Sequence, residues 1–289
     1  CIRDSRESGH EGTARAYASS LRSMQRYLGK KDFPFIKLSS RIISDYQGKL
    51  LASGICDNTI GFYLHNIKAL FRKGCREMGL ELPCPFRDIS IKTEKTLKRS
   101  LDPVVIKTLS AIELEKDSPL SLARDIFMFS FYTRGMSFVD IALLKKRHVF
   151  PGEICYRRHK TDQLMRVGIN KEISRILERY KNVPGEYIFP LFPAERDPYA
   201  GYRSAYHRIR YSLGKISRVI GLEFPLRLHA ARHSWATIAK VNGASVHVIG
   251  ECLGHTSEKT TRIYLKELDH SALDAVNNQV ADFILAVDD

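Results

Sequence analysis

Residues 229 to 237 read His-Ala-Ala-Arg-His-Ser-Trp-Ala-Thr, Leu-Gly-His-Thr-Ser follows at 253 to 257, and a lone tyrosine stands at position 264. On a helix over 229–240, His229 and Arg232 lie three apart and share a face, so an imidazole and a guanidinium converge on one phosphate-sized anion. Gly254 closes the next apolar-periodic segment (Val246, Val248, Ile249, Leu253) and leaves His255 in a turn. Ser257 then caps a helix that carries Tyr264 about two turns on. The cluster holds cations, a titratable imidazole and a phenol, with no carboxylate. That set suits negative charge growing on a phosphoryl oxygen, which needs donors and cations rather than acids. Tyrosine is a poor nucleophile at its free pKa of about 10, but beside Arg and His the phenolate is favoured and covalent attack becomes feasible.

The residue types suggest individual roles. Arg232 offers a planar fork to two phosphate oxygens, His229 a donor or proton acceptor near neutral pH, and His255 a further donor. Glu153–Arg158 and Leu164–Ile169 alternate like two strands around His159-Lys160-Thr161-Asp162, which reads as a hairpin turn with Lys160 at its tip. Lys160 there can reach a leaving oxygen as general acid, and Arg158, two residues earlier on the same strand face, supports the phosphate. His233 is four residues from His229 with no Glu between them, and packing is the plainer reading. A metal-dependent nuclease built on His229, His233, Cys252 and His255 is the competing enzyme class, and a non-catalytic DNA-binding protein is a third.

The order His-x-x-Arg, Leu-Gly-His and a tyrosine nine residues beyond that histidine resembles the tyrosine recombinase (phage integrase) family. The resemblance implies a helical core-binding domain and an α+β catalytic domain that clamp duplex DNA. By the same carry-over, Tyr264 attacks the scissile phosphate and forms a 3′-phosphotyrosyl link, releasing a 5′-hydroxyl, with neither ATP nor a metal required. It implies Lys160 as the hairpin lysine, duplex recombination sites and accessory DNA-bending proteins as partners, and a homo-tetramer on paired sites. Residues 271–286, an amphipathic pattern, would dock on a neighbouring protomer. An arm-binding domain often precedes this region in the family, and the start at Cys1 suggests a fragment.

One departure from the family pattern stands out. Aligning its Gly-x-Arg motif and following acid on Gly135 and Asp140 puts Ser137 where the first catalytic arginine is expected. Arg134 lies three residues earlier, so a helix here would let it share Ser137's face and carry its charge into the vacated place, with Ser137 supporting. Arg-Gly-Met-Ser-Phe-x-Asp resembles a variant found in recombinases of some conjugative transposons, and Arg134 is expected as the second phosphate clamp beside Arg232.

Composition agrees with a polyanion partner. The 289 residues carry 46 Lys and Arg against 32 Asp and Glu, a formal charge of +14. Residues 1–99 hold 19 basic against 10 acidic side chains, the larger share of that excess. Six scattered cysteines without a Cys-x-x-Cys pair suggest neither a zinc knuckle nor a disulfide framework. A reducing cytoplasm and association with the nucleoid fit this composition. No apolar run reaches the roughly 18 residues of a membrane span.

The fold expected is mainly α with a small antiparallel sheet. A helical domain spans residues 1–97 and a catalytic domain 98–289. In the first domain, helices are expected over 11–29, from a Ser40 cap to Gly54, and from an Asn58 cap to Gly79. Lys68, Arg72, Lys73 and Arg76 fall along the third as a candidate phosphate-tracking face. Leu-Pro-Cys-Pro-Phe at 82–86 breaks helix, and the basic stretch 91–100 reads as a linker. Beyond it, Asp102-Pro103 opens a helix, 120–132 forms a buried one, 173–180 another, and 202–220 a long one bearing Arg203, Arg208, Arg210 and Arg218.

Overall fold

The computed structural model describes residues 2–7, 11–29, 32–92, 94, 100–192, 198–255, 257 and 260–262. Two compact units divide the chain, Cys1–Thr96 and Leu97–Asp289. Tyr264 and the pattern over 271–286 lie outside the described residues.

The first unit is helical: α1 (Ile2–Glu7), α2 (Glu11–Leu28), α3 (Ser40–Ala52) and α4 (Asp57–Glu77). Met24 of α2, Ile43, Tyr46 and Leu50 of α3, and Ile60, Leu64, Ile67 and Phe71 of α4 form the core, which Phe86 from the proline-broken stretch completes. Two caps differ from expectation. The side chain of Ser39, not Ser40, accepts the N–H of Ile42, which makes Ser40 the first helical residue. Cys56 holds the cap position of α4, because Asn58 is engaged elsewhere: its amide donates to the Glu94 carbonyl at 3.0 Å and accepts the Glu94 N–H at 3.1 Å.

The basic face of α4 is also narrower than its sequence suggests. Lys68, Arg72 and Arg76 follow four-residue steps on one side, with Arg72 and Arg76 exposed. Lys73 instead pairs with Asp4 at 3.0 Å and Glu77 at 3.7 Å, so its charge is met within the unit.

In the second unit, α5 (Pro103–Ala111) begins as its sequence dictates, with Asp102 accepting the N–H of Val104 at 2.8 Å and Pro103 in the first turn. The centre is α6 (Pro119–Tyr132), buried on nearly all sides and packed against α5, α8 (Lys171–Tyr180), α9 (Pro198–Val219) and α10 (Leu228–Val241). Its buried Asp125 accepts from Arg124 at 2.6 Å, Arg179 at 2.7 Å and Tyr180 at 2.9 Å, so the carboxylate is fully engaged and α8 is pinned to α6.

The short α7 (Phe138–Ala142) leads to a three-stranded antiparallel sheet in the order β1-β2-β3, made of β1 (Val149–Phe150), β2 (Glu153–Arg157) and β3 (Leu164–Gly168). Strand pairing ends at Arg157 opposite Leu164. Arg158 therefore opens the connecting loop rather than closing the strand, its carbonyl accepting the N–H of Asp162 at 2.8 Å. The expected common strand face for Arg158 and Lys160 does not exist, although Lys160 is exposed on the loop. Last comes α11 (Val246–Leu253), capped by Ser245 and stopped by Gly254 at φ 63°.

Candidate active site

Arg232 sits in the first turns of α10 with only 5% of its surface exposed. A buried guanidinium must find acceptors, and its two Nη nitrogens find backbone carbonyls in the turn after α6 and at the end of α11. Nη1 donates to the Gly135 carbonyl at 2.8 Å, just past α6, and Nη2 donates to the carbonyl of Leu253, the last residue of α11. The Leu253 carbonyl, at a helix C-terminus, lacks an intrahelical partner and carries the negative end of the helix dipole, so a cation suits it. The bidentate fork expected to face a phosphate is therefore turned onto the protein's own backbone in this form.

Gly135 allows this approach. Its φ is +75°, and a Cβ built on it would lie 2.6 to 2.8 Å from Cγ, Cβ and Cα of Arg232. Arg134 before it is also left-handed, at φ 60°, so the segment is a turn and not the helix expected to align Arg134 with Ser137. Ser137 caps α7, and its hydroxyl donates to Asp140 Oδ2 at 2.6 Å, which commits it to the fold rather than to an anion. Arg134 is half-buried, with Nη1 3.5 Å from the Arg166 carbonyl on β3.

The hairpin is tied to the same centre twice. Buried Asp140 accepts the backbone N–H of His159 at 2.8 Å, and Arg158 Nη1 donates to the Gly254 carbonyl. Two guanidiniums thus take consecutive carbonyls, Leu253 and Gly254, at the end of α11. Burial pushes the Tyr156 phenol on β2 well above its ordinary range, with Asp140 adding to the effect, while Arg158, Arg232 and Arg134 all act on it in the opposite direction.

His255 follows directly. Its Nε2 lies 3.0 Å from Arg232 Nη2, and its Nδ1 lies 3.0 Å from Thr261 Oγ1. Burial holds its pKa down at about 4, with Arg232, Arg158, Lys160 and His229 adding repulsion. At neutral pH the ring is uncharged and accepts from Arg232, so on that side it is not the donor anticipated. Exposed His229 meets His233 edge to face, ring centres 4.7 Å apart, which is a packing contact. Among the described residues no three His, Cys, Asp or Glu side chains gather as a metal would require. The nuclease built on His229, His233, Cys252 and His255 thus has no ligand set there. Thr260 and Thr261 donate their N–H groups to the Ser257 carbonyl, consistent with a helix beginning where Ser257 was expected to start one.

A second cationic feature lies on α9. His207, Arg210, Tyr211, Gly214, Lys215 and Arg218 line a cavity of about 330 Å³, with Arg227 from the approach to α10 across it. Sequence reading marked Arg210 and Arg218 only as helix residues. The steps 207, 211, 214 and 218 were the signal that this face is continuous. Arg208, read alongside them, is structural, donating to the Leu191 carbonyl at 2.8 Å.

Residues 100–270 match the phage integrase family, and residues 1–86 match the phage integrase SAM-like domain. The chain belongs to the phage integrase family. As a member it is a tyrosine-type site-specific DNA recombinase. One relative is the tyrosine recombinase XerC of Shewanella oneidensis, 26% identical over 226 residues that cover 75% of this chain and 70% of the relative. The Tn1549 transposon integrase in complex with transposon right end DNA shares the fold, with a TM-score of 0.68 at 16% identity over 96% of this chain and 97% of that one. A lambda integrase tetramer bound to a Holliday junction gives 0.63 at 17% identity, over 90% and 74%. Among the described residues no helix of the recombinase is long and apolar enough to cross a membrane.

Two tests follow from this geometry. Gly135→Ala should destabilise the recombinase by more than about 1 kcal/mol, since alanine is strained at positive φ and its methyl has no room against Arg232. A urea midpoint equal to that of the parent chain would show that the turn can shift. For His255, the folded pKa of about 4 lies below the ordinary value of 6.5, so the unfolded chain binds the proton more tightly. Stability should therefore be lost as pH falls from about 6.5 to 4 and level off below. His255→Gln should flatten the urea midpoint against pH across that window, and parallel curves for variant and parent would contradict the depressed pKa.

Proposed function

We propose that this recombinase cleaves and rejoins DNA through a 3′-phosphotyrosyl link to Tyr264. The observation that carries the reading is the placing of Arg158 and Arg232 on the consecutive carbonyls Gly254 and Leu253, with His255 Nε2 3.0 Å from Arg232 Nη2 and the charges of Lys160 and His229 also acting on that ring. A phosphodiester placed there meets positive charge from several sides in a partly desolvated setting, where preorganised cations act most strongly on a transition state. In the step itself the Tyr264 oxygen bonds to phosphorus as its proton passes to water, the bond from phosphorus to the 5′-oxygen breaks, and Lys160 supplies a proton to that oxygen. Attack by a 5′-hydroxyl on the link reverses the sequence and rejoins a strand. Arg232 contributes charge and holds Leu253 and His255 in place, while His229 donates to the phosphate.

Arg134 remains our choice for the further phosphate clamp, on changed grounds. A non-glycine residue held at φ 60° costs roughly 1 kcal/mol or more, and such strain collects at functional positions. It keeps this side chain beside Arg158 and Arg232, all three acting on Tyr156. For duplex contact we assign Lys68, Arg72 and Arg76 of α4, with Lys73 secondary because of its acidic partners, and the α9 groove around Arg210, Lys215 and Arg227. The working assembly we propose is a tetramer on paired recombination sites, supported by the lambda integrase tetramer on a Holliday junction. Packing of residues 271–286 against a neighbouring protomer and the help of accessory DNA-bending proteins belong to the same proposal.

Incubation with nicked site DNA followed by a denaturing gel tests the central step. The parent chain should yield a protein–DNA adduct, and Tyr264→Phe should bind DNA yet form none, because only the attacking hydroxyl is lost. Cleavage that survives in Tyr264→Phe would assign the nucleophile to water or another side chain. Arg134→Ala should slow adduct formation by about two orders of magnitude, the loss of roughly 3 kcal/mol of transition-state contact, with little change in DNA affinity. A near-parental rate would move the clamp to Arg158 alone.

A further inference from the structure

Both ring nitrogens of His255 are committed, and together they fix its tautomer. A guanidinium only donates, so Nε2 at 3.0 Å from Arg232 Nη2 is an acceptor. The single proton of the neutral ring then sits on Nδ1, which donates to Thr261 Oγ1 at 3.0 Å. Thr261 is fully buried, and a Cβ added at Gly250 of α11 would come within 2.9 Å of its hydroxyl oxygen. The same Gly250 accepts the backbone N–H of His255 through its carbonyl at 2.9 Å. One turn of α11 therefore seats both the histidine and the threonine that holds it. Thr261 also stands three residues before Tyr264 in the chain.

We propose that Thr261 is a positioning residue for strand cleavage. Its hydroxyl holds His255 in the Nδ1–H tautomer with Nε2 turned to Arg232. The proposal rests on the assignment of His255 and Tyr264 to the reaction. Without the threonine oxygen, Nδ1 loses its acceptor, both tautomers become accessible, and the acceptor that meets Arg232 is no longer fixed. A purely structural threonine would instead serve through its methyl group and shape.

Substitutions separate the two. Thr261→Val keeps the shape and removes the acceptor, while Thr261→Ser keeps the acceptor and removes the methyl. In the full-length chain, Thr261→Val should slow adduct formation on nicked DNA about tenfold with DNA affinity unchanged, the effect of one lost positioning hydrogen bond. Thr261→Ser should cleave at close to the parental rate. Nitrogen-15 NMR of the imidazole should show the Nδ1–H form in the parent and in Thr261→Ser, and a mixture of tautomers in Thr261→Val. Gly250→Ala, which presses on the same hydroxyl from α11, should shift the ring spectrum in the same direction.

Parental cleavage by Thr261→Val, equal slowing in Val and Ser, or an unchanged ring spectrum in Thr261→Val would each overturn the proposal. If the parent itself forms no adduct, the assignment of Tyr264 has failed instead. The nitrogen spectra would still decide whether Thr261 holds the ring.

Discussion

A buried arginine whose two Nη nitrogens must find acceptors is the constraint on which much of the second unit depends. Arg232 is closed off from water, and leaving those Nη donors unmet would cost several kcal/mol. One acceptor is the Gly135 carbonyl in the turn after α6, and the other is the Leu253 carbonyl, which α11 cannot satisfy internally. The ends of those helices are thereby fixed with respect to α10. Gly135 is the residue that permits the approach, since any side chain there would occupy the space of the arginine stem. Removing Arg232 would cost more than a charge at the site, because the carbonyls of Gly135 and Leu253 would be left buried without their donor.

The hairpin is held by a second, separate device. Asp140 spans Ser137 and the backbone of His159, while Arg158 reaches the Gly254 carbonyl. Lys160 therefore rides on a loop whose base is tied at two points while its own side chain stays exposed. For the general-acid role proposed for Lys160, a tied base with an exposed tip supplies the reach that a leaving oxygen demands. The acid at Asp140 thus acts through backbone placement of the loop.

Much of this was legible in the sequence, for reasons that differ by residue. Local signals were reliable: Asp102-Pro103 opening α5, Gly254 ending α11, the alternation of Glu153–Arg157 and Leu164–Gly168. The segment 134–137 was misread as helix although Gly135 was a stop signal and Ser137 a cap signal, each satisfied in the structure. The remaining errors concern partners far apart in the chain. Asn58 looked like a cap because nothing local shows that Glu94 will meet it, and Lys73 looked available because Asp4 lies 69 residues away. Residue types announced a cationic site, but only the tertiary fold decides which cations are spent on backbone carbonyls.

The same fold explains why the site is charged as it is. Burial keeps the His255 imidazole neutral, and repulsion from Arg232, Arg158, Lys160 and His229 adds to the effect. Hydrogen bonds to fixed carbonyls hold Arg158 and Arg232 against that repulsion, so the cost of assembling positive charge is met by folding and not by the reactants.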